Sequence, residues 1–195
     1  MKTALIIHGM PGEAEFLDQN TPSPSNSHWL PWLQKQLLMQ DYLAQAPEMP
    51  KPYQPNYPAW KETFEQFTLS SESILIGHSC GGGFLLRWLS ENPVQVKRVV
   101  IVAPWLDVEG EDCPEFFDFK IRESLTSETD FHIVASDNDR YYIESSVEKI
   151  RTILPDAHFH LFPGYGHFLM REMNTIEFPE LRDIALHGSA VNAAA

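Results

Sequence analysis

The chain has 195 residues, a formal net charge of −13, 43 % apolar and 12 % aromatic residues. That length suits one domain with a sizeable core and is short for two, and the apolar fraction belongs to a folded protein rather than a disordered one. The acidic balance argues against binding nucleic acid or an anionic membrane, since both need clustered Lys and Arg.

Thr3 to Ile7 is an apolar run stopped by His8-Gly9, the pattern of a buried strand. The apolar part of MKTALIIHGM is too short for the core of a signal peptide, and no run approaches the ~20 apolar residues of a membrane span. The two cysteines, Cys80 and Cys113, form no C-x-x-C pair. Together these features lead us to expect a soluble protein of a reducing, cytoplasmic compartment.

Met10 to Ser27 is polar and rich in Pro, Ser and Asn, and reads as a loop. Trp29 to Met39 places Trp29, Leu30, Leu33 and Leu37 at helical spacing, with Ser27 as the expected cap and Pro31 in the first turn. Tyr42 to Ala46 reads as a short strand. Pro47 to Pro58 holds five prolines and is expected to be extended or turning.

The remaining elements alternate. Ala59 to Phe67 reads as helix, Ser73 to Ile76 as strand, Cys80 to Leu89 as helix, and Arg98 to Val102 and Phe131 to Ala135 as strands. Ile143 to Leu154 forms a helix with Ile143, Val147, Ile150 and Leu154 on one face. His158 to Phe162 gives a last strand and Ile176 to Leu186 a last helix. Alternating strands and helices predict an α/β fold, a three-layer α/β/α sandwich on a mostly parallel six-stranded sheet without a large cap domain. A single domain is expected over residues 1–187, followed by a mobile end at 188–195. In such sheets ligands sit beyond the C-terminal strand ends, which directs attention to the loops after Ile7, Ile76, Val102, Ala135 and Phe162.

One of those loops reads Gly77-His78-Ser79-Cys80-Gly81, a G-x-S-x-G pattern between an apolar strand and a helix. A turn from strand to helix within one residue strains the serine backbone and leaves no room for side chains two positions away, which accounts for Gly77 and Gly81. A serine there presents its hydroxyl at the sheet edge, beside the N–H groups and positive dipole end of the helix. The Cys80 N–H is then placed for an oxyanion hole. The second donor is expected from the loop after the first strand, with Met10 N–H first and Gly12 in reserve, because Pro11 has no N–H.

A serine nucleophile needs a base. Of the eight histidines, His167 stands in PGYGHF, a Gly-rich loop after the last strand on the same edge. The orienting carboxylate is expected in Ser136-Asp137-Asn138-Asp139, where both Asp137 and Asp139 qualify. The chain order Ser79, Asp, His167 is that of α/β-hydrolase triads. His158 and His160 alternate on one strand and could chelate, but no third ligand of suitable spacing stands near, so no metal is expected.

With these residues the chain resembles the α/β-hydrolase superfamily, and within it the small single-domain serine hydrolases grouped with YdeN and the retinoblastoma-binding serine hydrolase. The resemblance runs from ALIIHGMPG to EFPEL through HWLPWLQKQL, LIGHSCGG, VAPW, EFFDFKI, ASDNDRYY and GYGHF. It implies a nucleophile at Ser79, an acid at Asp139 in preference to Asp137, and a base at His167, with no cofactor. The chain departs from the family pattern at Arg140, where Pro is usual.

Pro104 to Ser127 is acidic and aromatic, too short for a cap domain, and expected to wall the site, with Trp29, Trp32 and Trp60 adding to it. The expected function is hydrolysis of a carboxylic ester or related small-molecule acyl substrate through an acyl-enzyme. The alternative is a protein-interaction module on a hydrolase scaffold with little or no turnover.

Overall fold

The computed structural model describes residues 1–190. Six strands form one sheet: β1 (Thr3–Ile7), β2 (Leu43–Gln45), β3 (Ile74–His78), β4 (Arg98–Val102), β5 (Asp130–Ser136) and β6 (His158–Phe162). Their order is β2-β1-β3-β4-β5-β6, and every neighbouring pair is parallel. Every residue of β1, β3 and β4 is buried. Continuous apolar runs are what a parallel sheet covered on both faces requires. The edge strands differ: β2 is shorter than expected, and β6 leaves Leu161 half exposed.

Among the described residues eight α-helices accompany the strands, the last two after β6: α1 (Glu13–Leu17), α2 (Leu30–Leu38), α3 (Tyr57–Phe64), α4 (Cys80–Glu91), α5 (Leu125–Glu128), α6 (Tyr141–Ile153), α7 (Met170–Met173) and α8 (Pro179–His187). The crossover from β1 through α2 leads to one side of β1, whereas those from β3 onward lead away to the other. With right-handed crossovers this reversal sends helices to opposite faces of the sheet. α2 packs on α8, while Trp60 and Phe64 of α3 pack on Phe84 and Trp88 of α4. The chain reverses its winding between β1 and β3, so a crevice opens where their C-terminal ends diverge.

Several boundaries depart from expectation. α1 lies in the expected loop, with Glu13 and Glu15 in its first turn complementing the helix dipole. Ser27 does not cap α2: its hydroxyl turns back to the Ser23 and Pro22 carbonyls, and Trp29 takes the cap position. α3 begins at Tyr57, where Asn56 accepts the Ala59 N–H, so Pro58 falls in a first turn. α8 begins at Pro179 rather than Ile176, and α7 is an additional element. Gly188 closes α8 in the left-handed conformation. Residues 191–195 of the expected mobile end lie outside the described residues.

Candidate active site

Ser79 sits between the last residue of β3 and the first of α4, at φ 51° and ψ −119°. This is a costly conformation for a residue with a Cβ. It is held from three directions. The Ser79 N–H donates to Val102 O of β4, and Ser79 O accepts N–H groups from Gly82 and Trp105. The glycines around it have steric reasons. A Cβ on Gly77 would stand 2.6 Å from Gly81 O, and one on Gly81 would stand 2.5 Å from His8 O. Side chains at either position would drive α4 off the sheet.

The loop after β6 brings His167 over this bend. His167 Nε2 lies 2.9 Å from Ser79 Oγ, and His167 Nδ1 lies 3.0 and 2.9 Å from the two carboxylate oxygens of Asp139. Asp139 is almost wholly buried and also accepts the Arg140 N–H at 2.7 Å. Asp137 turns elsewhere: its carboxylate accepts the Gly164 N–H at 2.8 Å. The two aspartates left open by spacing alone are thereby distinguished. One meets the imidazole, and the other ties the β5 and β6 loops together.

The segments that carry the expected oxyanion donors both adjoin Ser79. Cys80 is the first residue of α4, and its N–H has no carbonyl a turn behind it inside the helix. A Cβ on Gly9 would come within 3.1 Å of Ser79 Cβ, so the loop carrying Met10 passes directly over the serine. Among the described residues, neither the Met10 nor the Cys80 amide donates to a protein acceptor. Gly12, the reserve donor, stands instead at the N-cap of α1. The Cys80 thiol is buried, and burial, reinforced by Cys113, pushes its pKa well above the ordinary thiol value.

A family model described as serine hydrolase matches residues 20–181. The chain belongs to the serine hydrolase family, within the α/β-hydrolase superfamily. YdeN of Bacillus subtilis is 31 % identical over 182 residues, covering 88 % of each chain. The crystal structure of that gene product matches with a TM-score of 0.79 at 25 % identity, over 94 % of this chain and 96 % of the other. A YdeN-like protein from Pectobacterium atrosepticum matches at TM-score 0.66 and 17 % identity, over 94 % and 89 % of the two chains. The esterase domain from Rhodothermus marinus matches at TM-score 0.63 and 14 % identity, over 88 % and 80 %. The last two are likenesses of fold.

In this serine hydrolase the segment after β4 does not form the expected apolar wall. Phe116 packs inward on Trp60 and Phe84, and Phe117 packs on Trp105 and against Gly83. Trp29 and Trp60 are fully buried core residues, and Trp32 is half buried. Asp107, one of the acidic residues of this segment, does not face solvent. It is buried, and its carboxylate gathers the N–H groups of Glu111, Asp112 and Cys113. A cavity of about 240 Å³ opens between Phe117, Ile121 and the α6 residues Lys149 and Ile153, and another of about 170 Å³ between α6 and β6. Neither is lined by Ser79. The serine is 8 % exposed.

Sequence reasoning missed three residues that shape the serine hydrolase site. Glu172 Oε2 accepts the His167 N–H at 2.5 Å, and Asn138 Oδ1 accepts the Gly166 N–H at 2.8 Å. His78 reads as an ordinary strand end, yet its Nε2–H donates to His167 O at 2.9 Å. The one available signal was Glu172 at the third position of α7, where a carboxylate reaches back to the amides preceding a helix.

Proposed function

We propose that the protein hydrolyses carboxylic esters or related acyl compounds, with Ser79 as nucleophile, His167 as general base and acid, and Asp139 as the carboxylate that orients it. The observation that carries this reading is the continuous chain of contacts from Ser79 Oγ through both ring nitrogens of His167 to Asp139. His167 Nδ1–H donated to the carboxylate leaves Nε2 as a lone pair facing the hydroxyl. That is the tautomer a base must have.

As Ser79 Oγ bonds the substrate carbonyl carbon, its proton passes to His167 Nε2. Asp139 stabilises the resulting imidazolium. The carbonyl oxygen becomes an oxyanion, received by the Cys80 and Met10 N–H groups. Each such donor contributes on the order of 3 kcal/mol to the barrier reduction. The tetrahedral intermediate collapses as the leaving alcohol takes the proton from Nε2, leaving an acyl-serine. Water then gives a proton to the same nitrogen as its oxygen bonds the acyl carbon; the second tetrahedral intermediate collapses with cleavage of the bond to Ser79 Oγ, which takes the proton back from Nε2 as the acid leaves. The esterase domain among the structural neighbours sits on the same fold, which is compatible with this chemistry.

The test is turnover of short p-nitrophenyl esters by the wild type, lost in Ser79→Ala with the fold intact. Equal turnover by both proteins would overturn the assignment. A serine that reacts once and never turns over would favour the interaction-module alternative.

A further inference from the structure

His167 stands in a loop with one backbone bond of its own across it, from Phe168 N–H to Tyr165 O at 3.0 Å. Gly164 and Gly166 take positive φ at ease, but Phe168, which directly follows His167, is held at φ 57°, a costly value for a residue with a Cβ. Such a loop keeps one shape only when its surroundings over-determine it. The surroundings act on the peptide groups of His167 itself. His78 Nε2–H donates to the His167 carbonyl at 2.9 Å, and the Glu172 carboxylate accepts the His167 N–H at 2.5 Å.

We propose that His78 and Glu172 are positioning residues for the reaction, a clamp that grips both polar backbone groups of His167 and sets its imidazole over Ser79. The proposal rests on the reading of Ser79, His167 and Asp139 given above and deepens it. His78 directly precedes the nucleophile, so its bond couples the residues on either side of the reacting proton without passing through the proton itself. Its ring lies 5.0 Å from that of His167 and packs edge-on against Trp29 at 5.7 Å, so it has little freedom to swing away. A carbonyl only accepts, so the neutral His78 carries its proton on Nε2. Burial, together with the nearby His167 and His28, holds its pKa well below the ordinary imidazole value. Across the loop, Glu172 is itself steadied by Arg140, whose guanidinium lies 3.4 Å from Glu172 Oε1 and 3.5 Å from Asp139 Oδ1. Arg140 therefore ties the orienting carboxylate to the clamp, at the position where the chain departs from the family's proline.

Two pairs of substitutions separate the hydrogen bond from mere packing. His78→Leu fills space without a donor, whereas His78→Gln places an amide N–H where Nε2 was. Glu172→Ala removes the acceptor, whereas Glu172→Gln keeps a carbonyl there. The rate of Ser79 phosphonylation by a fluorophosphonate and the kcat and KM for a p-nitrophenyl ester are read on each folded variant. We expect His78→Leu and Glu172→Ala to lose about 10- to 100-fold in kcat and in phosphonylation rate with KM little changed, the size of effect that a misplaced catalytic group produces. The Gln variants are expected to recover most of that loss. If His78→Leu does not fold, the Glu172 pair decides by the same criterion. A reactive wild type matched by His78→Leu and Glu172→Ala, or Gln variants as slow as the Leu and Ala ones, would overturn the clamp alone. A wild type inert to the fluorophosphonate would strike the nucleophile reading and the clamp with it.

Discussion

Ser79 Oγ and His167 Nε2 lie 2.9 Å apart although 88 residues separate them in the chain. The hydroxyl is carried by the bend after β3 and the imidazole by the loop after β6, and three strand steps of the sheet set their separation. The Asp139 carboxylate completes the line from the end of β5, so the three groups come from three different strand ends.

The two aspartates of the β5 loop should respond differently. Asp139→Asn leaves the shape but removes the charge and favours the wrong imidazole tautomer, so kcat should fall by about 10⁴-fold. Asp137→Asn keeps a carbonyl oxygen to accept the Gly164 N–H, lies outside the line to the imidazole, and should cost about tenfold or less. Steady-state kinetics on both variants checks this, and a larger loss at Asp137 would reverse the assignment.

Strain at Ser79, the proposed nucleophile, predicts a trade of activity for stability. At φ 51° a glycine is at ease where a residue with a Cβ is not. Ser79→Gly should therefore be more stable than Ser79→Ala by about 1 kcal/mol in chemical denaturation, with both inactive. A less stable glycine variant would contradict the strain argument.

In the proposed mechanism the residue after the serine acts through its backbone. The Cys80 thiol is buried and its pKa is raised far above the ordinary range, so native protein should resist alkylation there until it unfolds. Cys80→Ala keeps the N–H and should leave ester turnover little changed. Rapid native alkylation of Cys80, by peptide mass mapping, would count against this.

Acid should destabilise the fold through its buried histidines. Burial, only partly offset by Asp130, lowers the His132 pKa from 6.5 to about 4. At pH 7 the group is neutral in both states. As pH falls from 6.5 towards 4 the unfolded chain takes up a proton that the native protein refuses, so stability falls with pH. His8, His28, His78 and His160, all shifted down chiefly by burial, act in the same sense. His132 alone should contribute a loss of about 2 kcal/mol between pH 7 and pH 5. His132→Asn should flatten the melting-temperature profile over that range, and an unchanged slope would contradict the argument.

Much of this architecture was legible because apolar runs of strand length between turn residues have few other uses. All six strands and the bend at Ser79 could be placed that way, and so could the loop carrying His167. What stayed hidden depended on partners distant in the chain. Asp137 and Asp139 stand two positions apart in one turn, and only the packing of that turn against the β6 loop separates them. Trp29, Trp60 and Phe116 have the composition of a pocket wall but are buried in the core. The roles of His78 and Glu172 are bonds to another residue's backbone, which no side-chain pattern announces. Helix starts shifted where prolines and Asn56 entered first turns, and Ser27 bonded backward instead of capping.

The central claim is that the Ser79 hydroxyl is an activated nucleophile. Intact-protein and peptide mass spectrometry after exposure to a fluorophosphonate tests it most directly. The account predicts one phosphonyl adduct, located on Ser79, absent from Ser79→Ala and slowed strongly in Asp139→Asn. An adduct of equal yield on Ser79→Ala, or none on the wild type, would contradict it.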